Sequence, residues 1–216
     1  MAALEHLERP AAGEPAGLLL LHHGRGTDER DLLPLADVLD PDRRLHVITP
    51  RAPLALPGSP GYHWYVVPHV GYPDRETFHS SFGLLTAFHD EVWARTAVAP
   101  ERTILGGFSM GAAMSYATGL AAERPRPAGI LALSGFVPTV DGWSPDLAGR
   151  AGLPVFIGHG RADPVISVEF ARASRGLLEE GGLAVDYNEF DGAHYVDRAE
   201  IDAAARWVDA LIEAGT

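Results

Sequence analysis

Short apolar runs alternate along this chain with longer stretches of helical period. Residues 18–22 are four leucines and a histidine that end in a Gly-rich loop, and residues 45–49 stop at Pro50. Residues 103–106 lead into a further glycine, residues 130–133 end at Ser134-Gly135, and residues 154–157 end at Gly158. Residues 184–190 form a last, more polar run. Continuous rather than alternating apolar runs predict strands covered on both faces. Between them, Ile201, Ala204, Ala205, Val208, Leu211 and Ile212 lie on one face of a helix. Asp197 and Glu200 have the spacing of a capping box at its start. Phe170, Ala173, Ser174, Leu177 and Leu178 repeat the period, and Gly181-Gly182 stops it. A helix is also expected at Leu32, Leu35, Ala36 and Leu39, and a longer one over 74–97 with Phe82, Leu85, Phe88, Val92 and Trp93 as its stripe. Residues 50–73 read as a long Pro/Gly-rich loop, a kind that often carries function.

Strand and helix in alternation predict an α/β fold: a mostly parallel, doubly wound sheet with helices on both faces, built as one domain over 1–216. Ligands of such sheets bind at the carboxyl ends of the strands. The residues that follow each apolar run are therefore the ones to read for chemistry. After the third run comes Gly107-Phe108-Ser109-Met110-Gly111, a G-x-S-x-G turn leading into a helix expected over 111–123. A strand that reverses sharply into a helix strains the serine and leaves no room for side chains two residues to either side. Ala112, Ala113, Ser115, Ala117 and Gly119 let that helix lie close to the sheet, and its N-terminus favours a developing oxyanion.

A serine nucleophile needs a histidine base oriented by a carboxylate, in the chain order Ser, Asp/Glu, His on this type of turn. Asp163, in His159-Gly160-Arg161-Ala162-Asp163-Pro164-Val165, and His194, in Gly192-Ala193-His194-Tyr195, follow Ser109 in that order. His194 is the one histidine C-terminal to Asp163. Asp163 is also placed to cap a helix starting near Val165, and both roles can coexist. Asp186, Glu189 and Asp191 are rival carboxylates. Oxyanion donors are expected from the backbone N–H of Met110 and from that of Arg25, in the loop His22-His23-Gly24-Arg25-Gly26-Thr27-Asp28. The Arg25 side chain could stay in solvent, pair with Asp28 or Glu29, or bind an acidic group on a substrate. His22 and His23 are neighbours on a strand and point to opposite faces, so no metal site is expected of them, and no cofactor is implied.

The loop His23-Gly24-Arg25-Gly26, the elbow at Ser109, Leu133-Ser134-Gly135-Phe136-Val137-Pro138, the segment from His159 to Val165 and Gly192-Ala193-His194 together resemble the carboxylesterase/phospholipase family of α/β-hydrolases. The resemblance runs from about residue 18 to the C-terminus. It implies a Ser109/Asp163/His194 triad, an oxyanion hole from Arg25 and Met110, and hydrolysis of carboxylic esters. It also implies that Trp64, Phe136, Val137 and Val165 line the substrate pocket, although Trp64 and Tyr65 could equally cover the edge of the core. Relatives close to the acyl-protein thioesterases usually carry Gln where Met110 stands and Leu where Arg25 stands, which favours the bacterial esterase branch. Thioesterase and lysophospholipase activities are the alternatives within the family. A non-catalytic small-molecule-binding module is the alternative outside it. A homodimer is compatible with the family.

Composition narrows this reading. Cysteine is absent, which removes a thiolate nucleophile and leaves serine at the elbow. Seventeen arginines and no lysine against 29 acids give a net charge of −12, which disfavours nucleic acid as a partner. No apolar run approaches the ~20 residues of a membrane span. The first ten residues carry Glu5, Glu8 and Arg9 rather than a signal peptide, so a cytoplasmic protein acting on a small-molecule ester is expected. Residues 135–153 leave no space for a lid of several helices, which predicts an open, shallow site.

Overall fold

The computed structural model describes residues 4–215. Seven strands form one sheet: β1 (His6–Arg9), β2 (Gly17–His22), β3 (Leu45–Pro50), β6 (Thr103–Phe108), β7 (Gly129–Leu133), β8 (Pro154–Gly160) and β9 (Ala184–Phe190). Their order is β1-β3-β2-β6-β7-β8-β9, parallel throughout except for β1, which runs antiparallel to β3. Two short strands, β4 (Leu54–Ala55) and β5 (Tyr62–His63), pair as a hairpin within the long loop. The helices are α1 (Ala36–Leu39), α2 (Arg75–Thr96), α3 (Met110–Leu120), α4 (Val168–Glu180) and α5 (Arg198–Gly215).

Alternate residues of each strand serve opposite faces. Leu18 and Leu20 pack with Phe78, Leu85 and Val92 of α2 and Met114 of α3. Leu19 and Leu21 pack with Leu39 of α1 and Ala204 and Val208 of α5. Tyr116 and Leu120 of α3 meet Ile130, Val155 and Leu178 of α4 further along the first face. Both faces are therefore covered, as the unbroken apolar runs require. Each fully buried leucine contributes roughly 1.5–3 kcal/mol. Among the described residues, no helix is long and apolar enough to cross a membrane.

The structure departs from the pattern-based expectation in four places. Strand β1 was not expected, because Glu8 and Arg9 make it read as polar. At the sheet edge these charges are paired instead: Glu8 with His46, and Arg9 with a fully buried Asp40. The expected helix over 32–39 is a 3-10 turn (Leu33–Leu35) with Pro34 in it, followed by the single turn of α1. Helix α3 stops at Leu120 rather than 123, because the buried Arg150 guanidinium donates to the carbonyls of Gly119, Ala121 and Arg124. Helix α4 starts at Val168 with Ser167 as its cap, since the Asp163 carboxylate already takes the amides of Val165 and Ile166. The capping box at 197–200 forms: Asp197 accepts from the Ala199 amide at 2.7 Å, and Glu200 from the Asp197 amide at 3.2 Å.

Candidate active site

Ser109 sits between β6 and α3 with φ 57° and ψ −119°, a conformation costly for any residue with a Cβ. The neighbouring glycines make it possible. A Cβ on Gly111 would strike the His22 carbonyl, and one on Gly107 would strike the backbone of Gly111. The Ser109 amide donates to the Leu133 carbonyl at 2.8 Å, which ties the turn to β7. Its hydroxyl makes no cap to the helix and lies 2.9 Å from His194 Nε2.

His194 follows β9, and its Nδ1 is 2.7 Å from Asp163 Oδ2. A carboxylate only accepts, so Nδ1 carries the proton and Nε2 is left to accept from the Ser109 hydroxyl. The Phe108 ring packs on the imidazole at 4.8 Å between centroids. Asp163 has a fully buried side chain, and its Oδ1 accepts from the amides of Val165 and Ile166, both at 2.8 Å. One carboxylate thus holds both the turn after β8 and the His194 imidazole, while the cap of α4 falls to Ser167 instead. Asp186, Glu189 and Asp191 lie elsewhere: Asp186 receives Asn188, Glu189 pairs with Arg172 and Arg161, and Asp191 pairs with Arg161.

His159 was not singled out as a site residue. Its Nε2 donates to the Ile166 carbonyl at 2.8 Å and lies 3.3 Å from Asp163 Oδ2, and burial lowers its pKa. It therefore packs against the carboxylate as a neutral donor. The spacing of four residues from Asp163 spans a loop, where sequence gives no periodicity to reveal it.

The loop after β2 is held from several sides. His23 Nε2 accepts from the Ala52 amide at 2.9 Å, so Nδ1 carries the proton and donates to the Gly24 carbonyl at 2.7 Å. Burial lowers the His23 pKa, in keeping with this neutral tautomer. Thr27 pairs with Tyr62 of β5, and the buried Glu29 forms a two-point ion pair with Arg51, which holds the Glu29 carboxyl down at about 2. Gly24 lies where a Cβ would meet Phe108 and Ser109 at 3.2 and 3.5 Å, so the chain passes close to the nucleophile. Among the described residues the Arg25 amide has no acceptor. Met110 is the first residue of α3, where the helix ladder supplies none either.

A cavity of about 340 Å³ opens beside Ser109. Arg25, Met110, Phe136 and Val165 line it. Trp64 does not, and this corrects the expectation. It is fully buried, its indole N–H donates to the His23 carbonyl at 2.9 Å, and its backbone N–H points at Met110 Sδ at 3.2 Å. Val137 does not line it either: its amide is tied to Ser174 Oγ at 2.9 Å, and it faces an adjoining depression with Phe170 and Leu177. The remaining wall was missed and comes from the long loop, through Tyr65, Val67, His69, Val70 and Pro73. Val66, Val67 and Val70 are large apolar residues left exposed in an aperiodic segment, and that is the signal that could have flagged it. Residues 135–153 hold only a 3-10 turn (Ala148–Arg150) and a bridge between Val140 and Trp143. Among the described residues no three His, Asp or Glu side chains are placed to hold a metal ion.

Residues 7–212 match the model of the phospholipase/carboxylesterase family. An acyl-protein thioesterase 1 of Debaryomyces hansenii is 30% identical over 181 residues, 78% of this chain and 77% of that protein. A putative hydrolase MhqD of Bacillus subtilis is 30% identical over 195 residues, covering 90% and 94%. The crystal structure of a Bacillus cereus carboxylesterase superposes with a TM-score of 0.84 at 26% identity, covering 97% of this chain and 95% of that one.

Proposed function

The chain belongs to the phospholipase/carboxylesterase family of α/β-hydrolases and is a hydrolase of the carboxylic-ester type; on that premise we propose that it cleaves esters of small or short-chain acyl groups through an acyl-enzyme on Ser109. The observation that carries this is the continuous line Ser109 Oγ, His194, Asp163, with contacts of 2.9 and 2.7 Å at a strained strand-to-helix turn. Ser109 attacks the carbonyl carbon while His194 Nε2 takes its proton, and Asp163 holds the imidazole tautomer and steadies the imidazolium. The tetrahedral oxyanion is met by the amides of Arg25 and Met110, two donors with nothing else to bind. As the intermediate collapses, His194 returns the proton to the leaving alcohol. Water then attacks the acyl carbon as His194 takes its proton, and collapse of the second tetrahedral intermediate releases the acid while His194 returns that proton to Ser109 Oγ.

Short acyl groups are favoured by the modest cavity of about 340 Å³ and by the absence of any helical cover in residues 135–153. A thioesterase is the second reading, supported by the acyl-protein thioesterase relatives. A lysophospholipase is consistent with the family but has no observation in its favour. A non-catalytic binding module is disfavoured because serine, histidine and aspartate are all retained in hydrogen-bonded contact. Matched oxo- and thioesters, from acetyl to palmitoyl, test the proposal. The expected result is a kcat/KM that is highest from acetyl to butyryl on the oxoesters and falls with chain length. A preference for long-chain or emulsified substrates, or for thioesters throughout, would contradict it.

A further inference from the structure

One cation at the mouth of the cavity is left without an anion. Of the carboxylates within a few residues of Arg25, Asp28 is taken by Arg30, and Glu29 by Arg51 and Arg30. Among the described residues Arg25 makes no hydrogen bond or ion pair of its own, in a protein with a net charge of −12. Pairing with its neighbours is thereby removed, and solvent or a substrate anion remains. The Arg25 side chain is exposed, yet it lines the same cavity as Ser109 and Met110. No carboxylate lines that cavity, and its other polar groups away from Ser109 are His69 and the Tyr65 hydroxyl. The rest of the wall is apolar, with Val67, Val70 and Phe136 among it.

The root of this side chain is fixed while its tip is free. Gly26 has φ 87°, Gly24 packs on Phe108 and Ser109, and His23, Thr27 and Trp64 hold the backbone on either side. A guanidinium so anchored presents a planar fork suited to a carboxylate. We propose that Arg25 selects esters that carry a free carboxylate, binding that group at the cavity mouth while the apolar wall receives the hydrocarbon portion. The inference rests on the reading of Ser109 as the esterolytic nucleophile and adds the charge of the substrate to it.

Two isosteric pairs test it: para-nitrophenyl adipamate against para-nitrophenyl hydrogen adipate, with the charge on the acyl side, and para-butyryloxybenzamide against para-butyryloxybenzoate, with the charge on the leaving group. The readout is the ratio of kcat/KM, charged over neutral, which cancels any loss that reaches both substrates through the backbone at Arg25. In the wild type this ratio is expected to be one or more for at least one pair. Arg25→Gln should lower it about 10- to 100-fold, chiefly through KM, since a hydrogen bond to a charged group is worth ~1.5–3 kcal/mol. Arg25→Lys should fall between. Arg206→Gln removes the same charge from exposed surface outside the cavity and should leave the ratio in place. Charged esters disfavoured tenfold or more in both wild-type pairs, or a ratio that moves no further in Arg25→Gln than in Arg206→Gln, overturns the inference and leaves the esterase reading intact. Failure to hydrolyse any of the four esters overturns both.

Discussion

Among the described residues there are two Ser–His contacts of nearly equal length. Ser109 Oγ lies 2.9 Å from His194 Nε2, and Ser115 Oγ lies 2.8 Å from His22 Nδ1. In the first, the other ring nitrogen meets a carboxylate. In the second, it meets another imidazole, His89 Nε2, at 3.1 Å. The proton order of the second line follows from its end. Ser115 donates to the Gly111 carbonyl and so accepts from His22 Nδ1–H; His22 Nε2 then accepts from His89 Nε2–H. His89 Nδ1 is left buried without a partner. Every member of this line is neutral and almost wholly inaccessible, and burial lowers the pKa of both histidines. Ser109 is raised on a strained turn beside an open cavity, whereas Ser115 lies inside a helix. The Ser–His distance therefore does not mark a nucleophile. The carboxylate, the adjoining cavity and the strained turn separate a reactive line from a structural one.

The sharpest way to break this comparison is to remove each hydroxyl in turn. Ser109→Ala should lower kcat/KM for para-nitrophenyl acetate by roughly 10⁴-fold or more with little change in stability. Ser115→Ala should keep activity within about threefold but cost ~1–3 kcal/mol, because it strands the His22 N–H, a loss read by denaturant unfolding. The carboxylate comes next. Asp163→Asn should lower kcat by about 10³–10⁴-fold, since an amide N–H facing His194 turns the imidazole to the wrong tautomer. Trp64→Phe should cost about tenfold in kcat with KM little altered, because the indole bond to the His23 carbonyl, behind the oxyanion loop, is lost, and should also lower stability, because the smaller ring leaves a void in the core. A change in KM alone would return Trp64 to the pocket wall.

The smallest effect is on stability against pH. Burial holds His22 neutral in the fold, with its pKa lowered to about 3, and holds His89 well below 6.5. Unfolded, each binds a proton below its ordinary value near 6.5. Between about pH 6.5 and 5 the unfolded chain therefore holds more protons at these sites, and stability falls with pH by about 1.4 kcal/mol per unit for each. Glu200 acts in the opposite sense. Burial raises its pKa to about 8, so it is protonated in the fold and ionised in the unfolded chain across that window, and it adds stability as pH falls. Denaturant midpoints across the window should show a slope shallower by one proton in His89→Gln and steeper by one in Glu200→Gln.

Much of this is legible in the sequence. The strand runs were legible because a sheet covered on both faces makes every strand residue apolar, and the elbow because its glycines are required by contact. Chain order selects His194, and the place of Asp163 just past a strand end favours it over Asp186, Glu189 and Asp191. The rest depended on groups whose meaning is set by what faces them in space. Strand β1 hides its pairing behind Glu8 and Arg9, whose partners His46 and Asp40 lie more than thirty residues away. Trp64 looked like a pocket residue because an aromatic in a loop carries no sign of which carbonyl its N–H will find. His159, His22 and His89 are ordinary histidines in sequence, and only burial and tautomer distinguish them from His194. The cavity wall from Tyr65 to Pro73 follows no helical or strand period, so only its exposed valines hint at a role.

The central claim, that Ser109 and not Ser115 is the nucleophile, is tested most directly by reacting the native protein with a fluorophosphonate and locating the adduct by peptide mass spectrometry. The account predicts one phosphonyl group, on the peptide's Ser109, with loss of esterase activity in proportion to labelling and no labelling of Ser109→Ala. An adduct on Ser115 or any other residue, or full esterase activity in protein labelled at Ser109, would contradict it.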